Sequence, residues 1–453
     1  EKRVKTEDLV LIANKCGNKV LAVCRGGLGS NENLRTGSYS PGVAYARMGR
    51  HPSSAKEFYQ FGLSVVGDVT EELAQNKLIL APSSDVEVFE DEDNPMRYLG
   101  SGEFSIGFYK EHTNWSVPIN EKFIPYHIGI FGVTGAGKSF LARYQVIPLL
   151  NKAGYDVIIF DWKGSDYAPY FKDSIVLKDI VLDEEVVTSY LADAMDYFGF
   201  TGEKKSINPI VAALEDVLFN GDWRKAQPGQ VKLFLETKVK EAIANENRDA
   251  RGNLTQWGRL YLTKFDRGMA RLTERDFENV RGEKSHKDIL SLARGKHVLV
   301  LDVSQGSKEE KLSVFMSFAR YLRRRMEQKE RLNLALLVDE GPQYCPFKPS
   351  GMEEDTTEMM SELCALGRTY NLSIVLLSQG IAGEIGINAA VRRNLNTQFI
   401  GKIHPLDMEE ASKLLLQLNI DPKFLVSLPE GHFYFLGKMN PSPIPLLISF
   451  TIE

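Results

Sequence analysis

Eight consecutive residues carry the strongest chemical signal in the chain: Gly132-Val133-Thr134-Gly135-Ala136-Gly137-Lys138-Ser139. They follow an apolar run, His127 to Phe131, and precede helical spacing from Phe140 to Leu150. Strand, glycine-rich turn and helix is the setting in which the spacing G-x-x-x-x-G-K-[ST] binds phosphate. The glycines let successive N–H groups converge on phosphate oxygens, and the next helix offers its positive end to the same anion. Lys138 supplies a point charge for the β and γ phosphates, and the Ser139 hydroxyl a ligand for Mg²⁺. The expected binding residues are Gly132, Thr134, Gly135, Ala136, Gly137, Lys138, Ser139 and Phe140, with ATP and Mg²⁺ as the expected ligands.

Three more segments end apolar runs in polar groups. Leu336-Leu337-Val338-Asp339-Glu340 closes on two carboxylates. Asp339 is placed to hold the Mg²⁺ shell, and Glu340 to activate an attacking water. Val157 to Phe160 closes on Asp161, 23 residues after Lys138. Emerging at the carboxyl edge of the neighbouring strand, Asp161 would face the same crevice and polarise water or join the metal shell; its alternative role is a helix cap or turn carboxylate. Ser373 to Leu377 runs into Ser378 and Gln379, whose amide could sense the γ phosphate. Arg368, Arg392 and Arg393 stand just before strands and are candidates for an arginine donated between subunits.

Positioning these tips requires strands buried on both faces. His127–Phe131, Val157–Phe160, His297–Leu301, Leu334–Val338, Ser373–Leu377 and Thr397–Ile400 are continuous apolar runs alternating with helical spacing. That pattern predicts a doubly wound α/β domain over 116–180 and 297–453. The long interval 181–296 is helical in spacing (Val211, Leu214, Val217, Leu218; Val231, Phe234, Leu235, Val239) and reads as a helical insertion. Residues 1–115 show short apolar runs punctuated by Gly, Pro, Ser and Asn, predicting a small N-terminal β-barrel or sandwich, with a mobile loop over Gly26–Pro41. His432–Gly437 and Pro445–Phe450 read as a hairpin or extended tails.

Composition sets outer bounds. The 453 residues hold 55 Lys plus Arg against 60 Asp plus Glu, a formal charge of −5, which excludes a histone-like basic binder but not local basic surfaces. Seven cations fall between Arg248 and Arg275 against three carboxylates, suiting a DNA-facing surface, a subunit interface or a solvated helix face with mixed pairs. Lys308 and Lys311, just past a strand, could line a pore. Four scattered cysteines form no CxxC pair, and no uncharged apolar run reaches the roughly 18 residues of a membrane span. The N-terminal residues lack a signal-peptide core. A cytoplasmic protein without membrane attachment is the expectation. No NKxD, LSGGQ or DEAD-type segment follows the phosphate loop, which argues against GTPases, transporter ATPases and DEAD helicases.

The ordered set IPYHIGIFGVTGAGKSFLAR (124–143), VIIFDWKG (157–164), LALLVDEGPQY (334–344), ELCALGRTYNLSIVLLSQG (362–380) and NLNTQFIGKI (394–403) resembles the HerA–FtsK superfamily of ring-forming ATPases, most of all HerA. The closing segment 427–450 is also similar to that family's. The resemblance implies a RecA-like phosphate-loop motor behind a small β-barrel, and a homohexamer moving double-stranded DNA with ATP. It further implies a nuclease partner, NurA-like in end processing or an effector in antiviral defence. By the same resemblance Arg368, in GRTY, is the best candidate for the inter-subunit arginine. Where the family often has D-P-H-G-E-Y, this chain has Asp161-Trp162-Lys163-Gly164-Ser165-Asp166-Tyr167, one residue longer. An ATP-gated scaffold for an effector, or a conjugation or packaging ATPase, stand as alternatives.

Overall fold

The computed structural model describes residues 4–31, 43–44, 47–50, 57–100, 102–195, 209–227, 229–381, 383–415 and 420–451. Two sheets organise them. The first is antiparallel with order β3-β2-β1-β4, built from β1 (Leu9–Ala13), β2 (Lys19–Asn31), β3 (Glu57–Asp68) and β4 (Asp85–Val88). The loop expected over Gly26–Pro41 begins later than its glycines suggested. β2 runs through to Asn31 by pairing with β3 across a register shift, because the partner strand supplies the hydrogen bonds that Gly26 and Gly27 do not encourage locally. The remainder, 32–41, lies outside the described residues.

The second sheet has eleven strands, ordered β6-β5-β15-β14-β13-β7-β12-β11-β8-β10-β9. Its parallel part holds β7 (Ile128–Phe131), β8 (Asp156–Asp161), β9 (Ser174–Val176), β10 (Val298–Asp302), β11 (Leu334–Val338), β12 (Leu372–Ser378) and β13 (Thr397–Ile400). Six of these coincide closely with the apolar runs. Their side chains alternate between two cores: Leu372, Ile374 and Leu376 enter one, Val375 and Leu377 the other. Both faces are covered, so apolar residues are favoured at every position of such a strand. On one flank β14 (Phe433–Gly437), β15 (Leu446–Ser449), β5 (Ser105–Tyr109) and β6 (Ser116–Pro118) extend the sheet antiparallel. The fold is therefore the expected α/β, RecA-like one, with an N-terminal antiparallel sheet beside it.

After α1, which begins at Lys138–Leu141 and resumes over Ile147–Lys152, the described residues of 181–296 are helical: α2 (Glu184–Met195), α3 (Pro209–Phe219), α4 (Val231–Glu246), α5 (Gln256–Met269), α6 (Glu274–Arg281) and α7 (His286–Lys296). α8 (Lys308–Glu327) and α9 (Met352–Gly367) cover the sheet. Val211, Leu214, Leu218, Val231, Leu235 and Val239 are buried, as their spacing required. A buried pair ties the two sheets: Arg25 Nε donates to Glu7 Oε1 at 3.0 Å, and the Tyr434 hydroxyl, on β14, donates to the same oxygen at 3.0 Å. No helix among the described residues is long and apolar enough to cross a membrane.

Candidate active site

Strand order decides which tips meet. β12 lies between β7 and β11, so Gln379 at its carboxyl end must sit between the loop after β7 and the carboxylates after β11. The hydrogen bonds follow that order. Thr134 Oγ1 donates to Gln379 Oε1 at 3.2 Å, and Gln379 Nε2 donates to Glu340 at 2.9 and 3.2 Å. Lys163, from the segment after β8, closes the chain with Nζ 2.5 Å from Glu340 Oε1. Glu340 itself has φ 51° and ψ 49°. A left-handed non-glycine residue there is strain of the kind that active sites hold.

The loop has the shape its residues permit. Gly135 and Gly137 take φ of 81° and 93°, and a Cβ on Gly137 would lie 3.1 Å from Gly431 N. α1 begins at once, over Lys138–Leu141, passes through a π turn (Ala142–Val146) and continues over Ile147–Lys152. A π turn next to such a loop is a common mark of a functional site. Lys138 Nζ donates to the carbonyls of Gly132 and Val133 at 2.8 and 3.1 Å, folded back along its own loop. Burial pulls its ammonium below the ordinary lysine value despite the nearby Glu340 and Asp339 charges.

Asp339 is 4 % exposed, and its Oδ2 has no hydrogen-bond partner. Burial, then the Glu340, Asp166 and Asp161 carboxylates, push its carboxyl from 3.8 to about 7. An orphaned carboxylate oxygen at this edge is the donor chemistry a hard divalent cation takes, together with a hydroxyl and substrate phosphates. Asp339 and Ser139 therefore fit Mg²⁺.

Asp161 departs from its expected role. It is fully buried at the carboxyl edge, but β8 is separated from β7 by β12 and β11 rather than beside it. Its Oδ1 accepts from Gly164 N, and its Oδ2 from Tyr167 N and Ala168 N, each at 2.9 Å. Three backbone donors occupy both oxygens, so the turn-carboxylate alternative describes it. Asp161 shapes the segment that carries Lys163, Asp166 and Tyr167.

The arginines also separate. Arg368 precedes β12, at the end of the sheet opposite the loop, with its guanidinium 5.3 Å from the Tyr126 ring. The seven residues of β12 put it roughly 20 Å from Gln379 of its own chain. It is exposed. Arg392 donates to Ile381 O at 2.8 Å and lies 3.9 Å from Glu410, a local structural tie, while Arg393 is exposed. Lys311 is not on a pore surface: it is buried, stacked on Trp162 at 4.4 Å and bonded to the Trp162 carbonyl. Lys308 pairs with Glu353.

Sequence reasoning passed over three participants. Lys163 has no role that its local sequence announces, and only the three-dimensional turn brings it to Glu340. Tyr167 is fully buried; burial, then Asp339, Asp166 and Asp161, push its hydroxyl well above the usual tyrosine value. The third is the turn at Glu430–Gly431, where Gly431 N donates to Ala136 O at 3.2 Å. A contact nearly 300 residues away in the chain has no local signal.

Residues 104–322 match the family model described as "Helicase HerA, central domain". VirB4 of Thermoanaerobacter pseudethanolicus superposes with a TM-score of 0.52 at 17 % identity, covering 78 % of this chain and 98 % of that one. The unbound bacterial conjugative coupling protein TrwB superposes at 0.50, with 14 % identity over 81 % and 92 % of the two chains. The plasmid coupling protein TrwB in complex with the non-hydrolysable GTP analogue GDPNP gives 0.50 at 15 % identity, over 79 % and 92 %. No curated protein matches the sequence. The match to the HerA central-domain model thus spans just under half of the chain, and the fold is shared with VirB4 and TrwB.

Proposed function

We propose that this protein is an ATP-driven motor on double-stranded DNA, acting as a homohexameric ring coupled to a nuclease in end processing or antiviral defence. The observation that carries the ATPase core is the buried, unpartnered Asp339 oxygen beside the loop that bears Lys138 and Ser139. Lys138 would meet the β and γ phosphates once it leaves its own loop carbonyls. Mg²⁺, when bound by Ser139 and Asp339, would neutralise charge on those phosphates. Glu340, oriented by Gln379 and Lys163, takes the proton of the attacking water. Gln379, bridging Thr134 and Glu340, connects the loop's occupancy to the base.

The ring reading is supported by Arg368. A positive group at the far end of the strands is remote from its own loop, yet available to the loop of a neighbouring copy. An arginine supplied in this way is worth about 10³ to 10⁵ in rate. The DNA reading draws on the family match and on TrwB, named a conjugative coupling protein. Steady-state ATP turnover with and without long duplex DNA tests it. A translocase is stimulated by duplex; turnover indifferent to DNA leaves the ATP-gated scaffold as the better description.

A further inference from the structure

A lysine only 8 % exposed gives up most of its hydration, so Lys311 must be held by its surroundings. It is the fourth residue of α8, whose start is rigid: Ser307 Oγ accepts from Glu310 N at 3.2 Å, and Glu310 Oε2 accepts from Ser307 N at 2.6 Å. Lys311 Nζ donates to the Trp162 carbonyl at 3.0 Å and lies 4.4 Å from the centre of the Trp162 ring. Burial pulls its ammonium below the ordinary lysine value, and the Asp302 and Asp161 carboxylates oppose this.

The carbonyl belongs to the peptide that joins Trp162 to Lys163. A peptide unit is planar, so holding its oxygen also fixes the Lys163 N–H and the direction in which that side chain starts. The units on either side are tied by other means. β8 keeps Asp161 in its ladder with β10, and the Asp161 carboxylate takes the N–H groups of Gly164, Tyr167 and Ala168. Gly164 is fitted against the tip of β10, where a Cβ would lie 2.6 Å from Ser304 Oγ. The Trp162 ring stands edge-on to the buried Tyr344 at 5.2 Å. Lys311 holds the peptide between these ties.

Lys163 needs that constraint. Its side chain is 46 % exposed, while that of Glu340, whose Oε1 lies 2.5 Å from its Nζ, is 13 % exposed. An ion pair with one partner so exposed contributes little, and ordering a lysine side chain costs more than it returns. The backbone must therefore aim the lysine.

We propose that Lys311 is a positioning residue for hydrolysis: by holding the 162–163 peptide it aims Lys163 at Glu340, which sets the carboxylate against the attacking water. The proposal rests on the reading of Glu340 as the base. The tips of β12, β11 and β8 separate Lys311 from the phosphate loop, so its effect falls on hydrolysis and not on ATP binding.

Four versions of this chain test it: unmodified, Lys163→Met, Lys311→Met and the double variant. Methionine keeps an unbranched apolar stem and removes the donor. ATP affinity with Mg²⁺ and single-turnover phosphate release are measured for each. Lys311→Met should slow release about 10- to 100-fold, the loss expected when a reacting group is misplaced by about 1 Å, with ATP affinity within about threefold of the unmodified chain. Lys163→Met should slow release at least as much. The double variant should be no slower than Lys163→Met, because the two residues act in one chain of contacts, whereas the losses of independent residues would multiply. Lys311→Arg should recover part of the rate, since a guanidinium can donate to the carbonyl and stack on the indole. Unchanged release by Lys311→Met overturns the proposal, and so does a multiplied loss in the double variant. A fall in ATP affinity that accounts for the slowed release overturns it too, by making Lys311 a support of the whole crevice. Full release by Lys163→Met overturns it while leaving Glu340 as the base. Full release by Glu340→Gln overturns instead the reading on which it rests.

Discussion

Replacing Asp339 by Asn should make the nucleotide-free protein more stable while abolishing its Mg²⁺-dependent turnover. The carboxyl is buried, one oxygen is unpartnered, and its ionisation is held up to about 7 against 3.8 when solvated. A folded-state value above the unfolded one means the folded chain binds more protons. Stability is therefore lost as pH rises from 3.8 towards 7, and stays reduced above that. About three pH units at 1.36 kcal/mol each set the cost near 4 kcal/mol at pH 8. At pH 5 the same linkage leaves under about 2 kcal/mol. The amide carries no charge, so the variant avoids this cost at both pH values. The difference between its gains at pH 8 and pH 5, about 2 to 3 kcal/mol, is independent of whatever the amide costs in packing. Urea unfolding of both proteins at the two pH values, without nucleotide, measures it. A gain equal at pH 5 and pH 8, or a smaller gain at pH 8 than at pH 5, would refute the picture of a carboxylate kept buried for a cation. Addition of Mg²⁺ and a non-hydrolysable ATP analogue should stabilise the unmodified protein more than the variant.

Arg368→Ala should retain ATP binding and lose hydrolysis by about 10³ or more. Mixed with Lys138→Ala subunits it should regain part of the turnover, because some boundaries then join an intact loop to an intact arginine. Normal turnover by Arg368→Ala alone excludes the role. His127 should make the fold acid-sensitive. It is fully buried, with Nε2 2.7 Å from the Cys364 carbonyl and Nδ1 accepting from Ile374 N, and burial lowers its imidazole to about 4. The unfolded chain takes up its proton first as pH falls below 6.5, so stability is full above that and about 2 kcal/mol of it is lost by pH 5. His127→Gln should flatten that part of the stability profile, and an unaltered profile would place the acid sensitivity elsewhere.

The parallel strands were legible because burial on both faces forces continuous apolar runs, as in Leu334–Val338 and Thr397–Ile400. The loop and the Asp339–Glu340 pair were legible for a different reason: each sits at a strand end, where the chain must turn polar. Strand order was not legible. Nothing in the runs says that β12 and β11 separate β7 from β8, and so Asp161 was expected beside the loop when it caps its own turn instead. Nor could the sequence indicate that β5 and β6 complete the large sheet, since antiparallel edge strands of three to five residues carry little periodicity. Lys311 shows the same limit from the other side: a lysine on a helix reads as exposed, and only the Trp162 ring above it explains its burial.

The central claim is that the crevice between the phosphate loop and Glu340 hydrolyses ATP with Glu340 as the base. Glu340→Gln tests it most directly, since the amide keeps the shape and the bond to Gln379 while losing the ability to take a proton. The measurement is retained [γ-³²P]ATP against released phosphate in one purified sample with Mg²⁺. The account predicts ATP bound within a few-fold of the unmodified protein and phosphate release reduced by about 10² to 10⁴. Phosphate release close to that of the unmodified protein would contradict it.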